Sequence, residues 1–263
     1  MNKLLNTQVF QFKALFLFLF LFSLHLPLDL WSQDRRDMRK TERLPTPKHL
    51  EFILLSIPEP SGITMNLTND GFFIVSDDGY LYETNLRGDI IRKSSFTGID
   101  FEAVYVDSNF VYVVEESNRR IRFFDHENLS LQRTVYVPYS GGRNKGFESF
   151  TYNHAKSKWI LITEKDPIVI FELNHDFQVT NKVIIQLARD ISDATWYDDS
   201  LWLLSDEDRK IIKVNPLTYM PELIIPLRII NPEGLVFGPD NKLYVISDDM
   251  ERLYIFKSPV NTP

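Results

Sequence analysis

From residue 50 to residue 257 the chain repeats one pattern: short apolar runs, alternating or continuous, rich in β-branched and aromatic residues and bounded by Asn, Asp and Gly. Each run reads as a β-strand. The clearest set is F-F-I-V-S-D-D, V-Y-V-V-E-E-S, W-I-L-I-T-E-K-D, L-W-L-L-S-D-E-D and L-Y-V-I-S-D-D. Each of these is preceded by a strand-opening segment: P-S-G-I-T (60–64), F-E-A-V-Y (101–105), F-E-S-F-T (147–151), S-D-A-T-W (192–196) and P-E-G-L-V (232–236). A third run follows in every unit, as in Y-L-Y-E-T-N, R-I-R-F-F-D, I-V-I-F-E-L-N, K-I-I-K-V-N and R-L-Y-I-F-K. A fourth is visible in R-T-V-Y-V-P, K-V-I-I-Q-L and L-I-I-P-L-R-I.

A recurrence of about 40 to 45 residues, each unit holding four strands, is the signature of propeller blades. The last unit stops after its third strand, while an unassigned strand, L-E-F-I-L-L-S-I (50–57), stands before the first. That strand supplies the missing outer strand of the final blade and closes the ring, removing the exposed edges an open array must protect. The expectation is an all-β, five-bladed β-propeller of four-stranded antiparallel blades, closed by an N-terminal strand completing the last blade. An open solenoid fits less well, because capping repeats are absent and the last unit is split.

In such a blade the first strand lines the tunnel and the second returns to the mouth where the first began. Two sets of residues therefore converge there. The inner set is Ser61, Glu102, Glu148, Asp193 and Glu233; the outer set is Asp77, Glu116, Glu164, Asp206 and Asp248. Carboxylates about 7 Å apart at an effective dielectric of roughly 20 repel by about 2 kcal/mol per pair. Protonation, a basic side chain or a cation must offset that. The outer acids are also ordinary turn residues, which is the simpler reading of them. The inner acids open apolar strands and have no turn to make. Ser61 breaks their pattern, with Glu59 beside it in the preceding loop.

An all-oxygen donor set selects a hard cation, and Ca²⁺ accepts irregular oxygen cages more readily than Mg²⁺. Glu102, Glu148, Asp193 and Glu233 are the candidate metal residues. Basic residues reach the same mouth: Arg119, Arg120, Lys165, Arg209, Lys210, Arg252 and, from the loop before Glu148, Lys145. Most read as solvated partners of neighbouring acids. Lys145 and Lys165, placed beside Glu148 and Glu164, join Glu164, Asp206 and Asp248 as candidate ligand-binding residues.

Composition narrows the chemistry. The 263 residues carry no cysteine, which removes disulfides, thiol nucleophiles and thiolate metal sites. A net charge of -7 disfavours nucleic acid and suits cations or basic partners. His126, His154, His175 and His49 fall at the opposite mouth, and neither a G-x-S-x-G nor an H-E-x-x-H motif occurs. At the N-terminus, Lys3 and Lys13 precede the apolar run A-L-F-L-F-L-F-L-F-S-L-H-L-P-L. Residues 1–32 are expected to be a secretory signal peptide or a retained membrane anchor. Residues 33–48 are expected to form a charged linker and 49–263 the propeller, exported to the periplasm or held at the cell membrane as a monomer.

The motifs N-K-G-F-E-S-F (144–150), T-E-K-D-P (163–167), I-P-E-P-S-G-I-T (57–64) and N-P-E-G-L (231–235) with S-D-D (247–249) carry a resemblance. The chain resembles the SdiA-regulated, or YjiK-like, family of bacterial exported propellers over about residues 49–257. That resemblance implies a five-bladed ring distantly related to NHL-repeat propellers, a calcium site at the positions matching Glu102, Glu148, Asp193 and Glu233, and no established activity. The functional expectation is a calcium-binding module for a small molecule or an envelope protein. The alternative is a metal-dependent hydrolase of lactones or esters, with Glu148 or Glu164 as base.

Overall fold

The computed structural model describes residues 40–141, 146–239 and 241–260, and every element between Glu42 and Lys257 is a strand. Two strands precede the repeats, β1 (Glu42–Arg43) and β2 (Glu51–Leu54). Blade 1 comprises β3 (Pro60–Met65), β4 (Gly71–Ser76), β5 (Tyr80–Asn85) and β6 (Ile90–Lys93). Blade 2 comprises β7 (Phe101–Val106), β8 (Val111–Glu115), β9 (Arg120–Phe124) and β10 (Leu131–Tyr136). Blade 3 runs through β11 (Phe147–Asn153), β12 (Lys158–Thr163), β13 (Val169–Leu173) and β14 (Val179–Ile184). Blade 4 follows with β15 (Asp193–Tyr197), β16 (Ser200–Ser205), β17 (Lys210–Val214) and β18 (Pro221–Pro226). The last blade has β19 (Pro232–Gly238), β20 (Lys242–Ser247) and β21 (Arg252–Lys257).

The ring closes as expected. β2 pairs antiparallel with β21, Leu54 opposite Arg252 and Glu51 opposite Ile255, and completes blade 5. One part of the expected linker also belongs to a sheet. β1 adds to the outer edge of blade 4, parallel to β18, with Glu42 opposite Leu223 and Arg43 opposite Ile224. The unit that carries the ring accordingly begins at Thr41. Side chains of adjacent blades meet face to face, and large apolar groups fill the wedges between them. Phe150 stacks on Trp159 between blades 2 and 3, and Tyr197 stacks on Phe237 at 4.1 Å between blades 4 and 5. Trp202 is fully buried in the same wedge. The aromatic content of the chain is thereby spent mainly on inter-blade packing.

One irregularity decides the chemistry of the tunnel. Pairing between the first and second strands slips by one residue at the start of blades 1, 2, 3 and 5, between Pro60 and Gly62, Phe101 and Ala103, Phe147 and Ser149, and Pro232 and Gly234. The skipped residue is a β-bulge, and a bulge re-aims its side chain out of the strand's alternation.

Candidate functional site

The bulged residues are Ser61, Glu102, Glu148 and Glu233, and with Ser192 of blade 4 they line one well at the tunnel mouth. Blade 4 departs from the expected alignment by one position. Asp193 pairs with Leu204, as Gly234 pairs with Ile246, so Ser192 and not Asp193 occupies the inner ring. The inner set is three glutamates and two serines. Asp193 is buried between blades, its Oδ1 accepting from Ala194 N–H and its Oδ2 from Leu235 N–H, both at 2.7 Å. Two backbone donors use the carboxylate fully there, and Asp193 does not line the well. The two serines mark the same joint, Ser192 Oγ donating to Pro232 O at 2.9 Å and Ser61 Oγ donating to Phe101 O.

Glu164, Asp206 and Asp248 come to the mouth with Asp77, each one residue beyond the end of a second strand, and all four line the well. Glu116, their counterpart in blade 2, lines an adjoining cavity with Asp77, Asp100, Glu148 and Glu164. The well encloses about 140 Å³ and the adjoining cavity about 580 Å³. A third position recurs in each blade, two residues before the inner one: Glu59, already singled out in the sequence, and Asp100, Gly146, Asp190 and Asn231, which were not. Glu59, Asp100 and Asn231 adopt positive φ to make the turn into strand one. Asp190 holds the next turn, accepting from Ser205 Oγ at 2.6 Å and from the N–H groups of Asp206 and Glu207 at 3.1 Å. Asp100 accepts from Ser117 N–H at 3.2 Å and from Ser117 Oγ. The signal lay in E-P-S, D-F-E, G-F-E, D-I-S and N-P-E: aligning on the central apolar residue gives the correct register in all five blades.

Enclosure and mutual repulsion shape the electrostatics. Glu102, Glu148 and Glu233 keep a part-exposed face that opens onto the well and, for Glu148, onto the adjoining cavity as well. Burial pushes Glu102 far above the ordinary carboxylate range, and Glu148, Asp77 and Asp100 add to the rise. The same holds for Glu148, with Glu116 and Glu164 as the nearest like charges, and for Glu233, with Asp206 and Asp248. Asp77 is pushed up to about 7 by burial and by Asp248. Glu116 also reaches about 7 through burial, although Gly146 N–H donates to its Oε1 at 2.7 Å and opposes the rise. Burial and Asp190 take Asp206 to about 6. Burial raises Asp248 as well, with Asp249 adding to it.

Among the described residues, no Lys, Arg or His lines either cavity. The basic residues expected at the mouth turn elsewhere. Arg119 donates to the carbonyls of Ser117 and Gly141, Lys210 to Leu187 O and Asp208, and Arg120 stands 3.9 Å from Glu115. Lys165 is the exception, bonded to Glu164 and, at 3.2 Å, to Glu207, which holds its pKa above the usual lysine value. Lys145 lies outside the described residues, as does the expected leader. His154 contacts Tyr152 and Trp196 in the turn that ends β11, at the far end of the tunnel.

The donor set fits a hard cation on its chemistry: only carboxylates and serine hydroxyls face the well. Carboxylate oxygens of Asp100, Glu102 and Glu116 lie within 4.8 Å of one another, the spacing of ligands that share one ion. Asp100 and Glu116 thus stand beside Glu102 as candidates, while Asp193 lies away from the well.

The ring superimposes on a glutaminyl cyclase from Myxococcus xanthus with a TM-score of 0.66, at 14% identity over 84% of this chain and all of that one. It also superimposes on the β-propeller domain of Cps50 (Swd1) from Myceliophteria thermophila, with a TM-score of 0.51 at 8% identity over 79% of this chain and 99% of that one. At such identities the likeness is one of fold. A family model described as SdiA-regulated matches residues 57–257, from just before β3 to the end of β21. The chain belongs to the SdiA-regulated family.

Proposed function

We propose that this propeller is an exported cation-binding module whose acidic mouth holds Ca²⁺ and uses it to anchor a small molecule or an envelope protein. One observation carries the reading: three glutamates are turned into a common well by β-bulges, ringed by further carboxylates, with no basic side chain lining it among the described residues. Glu102, Glu148 and Glu233, with Asp100 and Glu116 at one side, would hold the ion. Bound there, it supplies positive charge that relieves the repulsion among them and a coordination face open to the mouth. Glu164, Lys165, Asp206 and Asp248 stand at the rim where an anchored ligand would be met. The chain's own contribution is preorganisation: bulges fix the carboxylates, and the ring keeps them together whether or not the ion is bound. Folds of this kind host many activities, so the likeness to a glutaminyl cyclase transfers no reaction.

Calorimetric titration of the purified protein with Ca²⁺ and Mg²⁺, alongside melting with and without EDTA, tests the reading. Saturable Ca²⁺ binding lost in Glu102→Gln and Glu148→Gln is expected. No heat and no change in melting temperature with Ca²⁺ would remove the cation. Calcium-dependent turnover of a lactone and ester panel, abolished in Glu148→Gln, would replace the binding module by a hydrolase.

A further inference from the structure

The outer strands of the five blades are not equivalent. β6 exposes Ile90 and Ile91, β10 Tyr136 and β14 Ile184, and each of these strands also carries a Lys or Arg: Arg92 and Lys93, Arg133, Lys182. Such charges are how natural sheets guard their edges. The outer edge of blade 4 is covered by β1. β2 is the least guarded: its sequence is E-F-I-L, Glu51 is its one charge, and no strand lies beyond it among the described residues.

Alternation sorts the side chains of β2. Ile53 packs toward blade 1, against the core that contains Ile63 and Tyr82. Leu50, Phe52 and Leu54 take the opposite face and are 64%, 46% and 68% exposed. Phe52 lies 6.1 Å from Tyr254, which belongs to the core between blades 4 and 5, and Arg252 covers its ring at 4.5 Å. Three large apolar residues at every second position therefore form an open strip beside that wedge. A run of this kind is a contact surface, whereas scattered single residues need no explanation.

The chain indicates what covers it. The apolar N-terminal run ends at Leu28, and β1 pins Glu42 to blade 4, so at most about 50 Å of extended chain separates that run from the ring. The tether joins the ring at blades 4 and 5, the side that carries the strip. From residue 40 through the strip the charges are Lys40, Arg43 and Lys48 against Glu42 and Glu51, all exposed. Apolar side chains bordered by basic ones suit the surface of an anionic bilayer.

We infer that the outer face of β2 is a membrane-contact strip: Leu50, Phe52 and Leu54 rest on an anionic lipid surface, which sets the ring on its blade 5 edge. The inference rests on the membrane-held form of the proposed envelope location, with the leader retained as an anchor. In this posture the tunnel axis runs along the membrane, and the acidic mouth opens sideways to passing ligands instead of being pressed against the lipid.

The absence of cysteine makes the test direct. Leu54→Cys, Ile184→Cys and Ile91→Cys versions of the full chain are labelled with an environment-sensitive fluorophore and mixed with vesicles of phosphatidylethanolamine and phosphatidylglycerol, with and without a quencher attached to the acyl chains. Flotation first reports whether the chain is membrane-bound. Several-fold stronger quenching at position 54 than at 184 or 91 is the expected result. A floating protein with equal quenching at all three positions, or none at 54, overturns the strip and leaves the anchor standing. Failure to float overturns both. A blue shift at 54 that needs no vesicles and grows with protein concentration would assign the strip to a second copy of the chain instead, also overturning the lipid reading.

Discussion

The two ends of the tunnel use the same residue types to opposite effect. At the far end, acids and amides close turns and are met by backbone donors. Asp125 Oδ1 accepts from Glu127 and Asn128 N–H at 2.9 and 3.0 Å, and Asp107 Oδ1 accepts from Asn109 and Phe110 N–H at 2.7 and 3.0 Å. Asp70 is held below the usual carboxylate range by bonds from Thr68 and Asn66. At the near end, Glu102, Glu148 and Glu233 receive no hydrogen bond from the described residues, face one another and are driven upward. Counting acids therefore does not find a site. Glu102, Glu148 and Glu233 are set apart by enclosure with like charges and no donor to offset it.

The largest effect that sharpens this contrast is expected from calcium itself. An ion present at about a thousand times its dissociation constant stabilises the folded state by about 4 kcal/mol, which for a ring of this size raises the melting temperature on the order of 10 °C. Scanning calorimetry before and after EDTA reads it directly.

Next comes Asp193, one residue from the well, which burial pushes well above the ordinary carboxylate range while its two backbone donors oppose the rise. Asp193→Ala strips acceptors from two buried N–H groups, Ala194 and Leu235, and is expected to destabilise by roughly 3 kcal/mol in chemical denaturation. Its calcium titration should match the parent. Weakened calcium binding in this variant would return Asp193 to the metal set.

Glu102→Gln should do the reverse, stabilising the calcium-free protein by about 2 kcal/mol as one repulsive partner is neutralised, while weakening calcium binding at least tenfold. A destabilised calcium-free variant would mean that Glu102 already has a donor.

Smaller again is the pH dependence. Asp77 and Glu116 titrate near 7 and Asp206 near 6 in the folded, calcium-free protein, all above their unfolded values. A raised carboxylate favours folding while it is protonated. That stability is complete below about pH 4 and is lost as pH rises through 6 to 7. The calcium-free protein should melt a few degrees lower at pH 8 than at pH 5, and saturating calcium should flatten or invert the trend, because the ion competes with protons for the same oxygens. An unchanged melting temperature across that window would count against repulsion at the mouth.

The smallest change is expected at the far end. Asp125→Ala removes two exposed turn bonds and should cost about 1 kcal/mol or less, with no effect on calcium binding.

Much of this was legible without coordinates. The repeat, the four strands per unit and the closing role of residues 50–57 follow from local alternation, which responds to solvent on one side and a neighbouring blade on the other. Glu102, Glu148 and Glu233 were recognisable because a carboxylate opening an apolar strand has no local reason to be there. The misplacement of Asp193 has a definite cause. Matching on acidic character aligned S-D with F-E and P-E, whereas the backbone aligns I-S with F-E and P-E, so Ser192 takes the inner place. Asp100 went unnoticed because Asp before an aromatic residue reads as an ordinary loop. Nothing in E-R predicts that Glu42 and Arg43 will extend blade 4, since the partner strand lies about 180 residues away.

Composition and periodicity thus determined that this chain is a closed ring of five sheets with an acidic end, because strand alternation and turn residues act within a few positions of themselves. Which carboxylates are left without donors was decided only in three dimensions. A bulge is a relation between two paired strands, and the N–H groups that satisfy Asp193 or Glu116 come from Leu235 and Gly146, dozens of residues away and in the next blade round the ring.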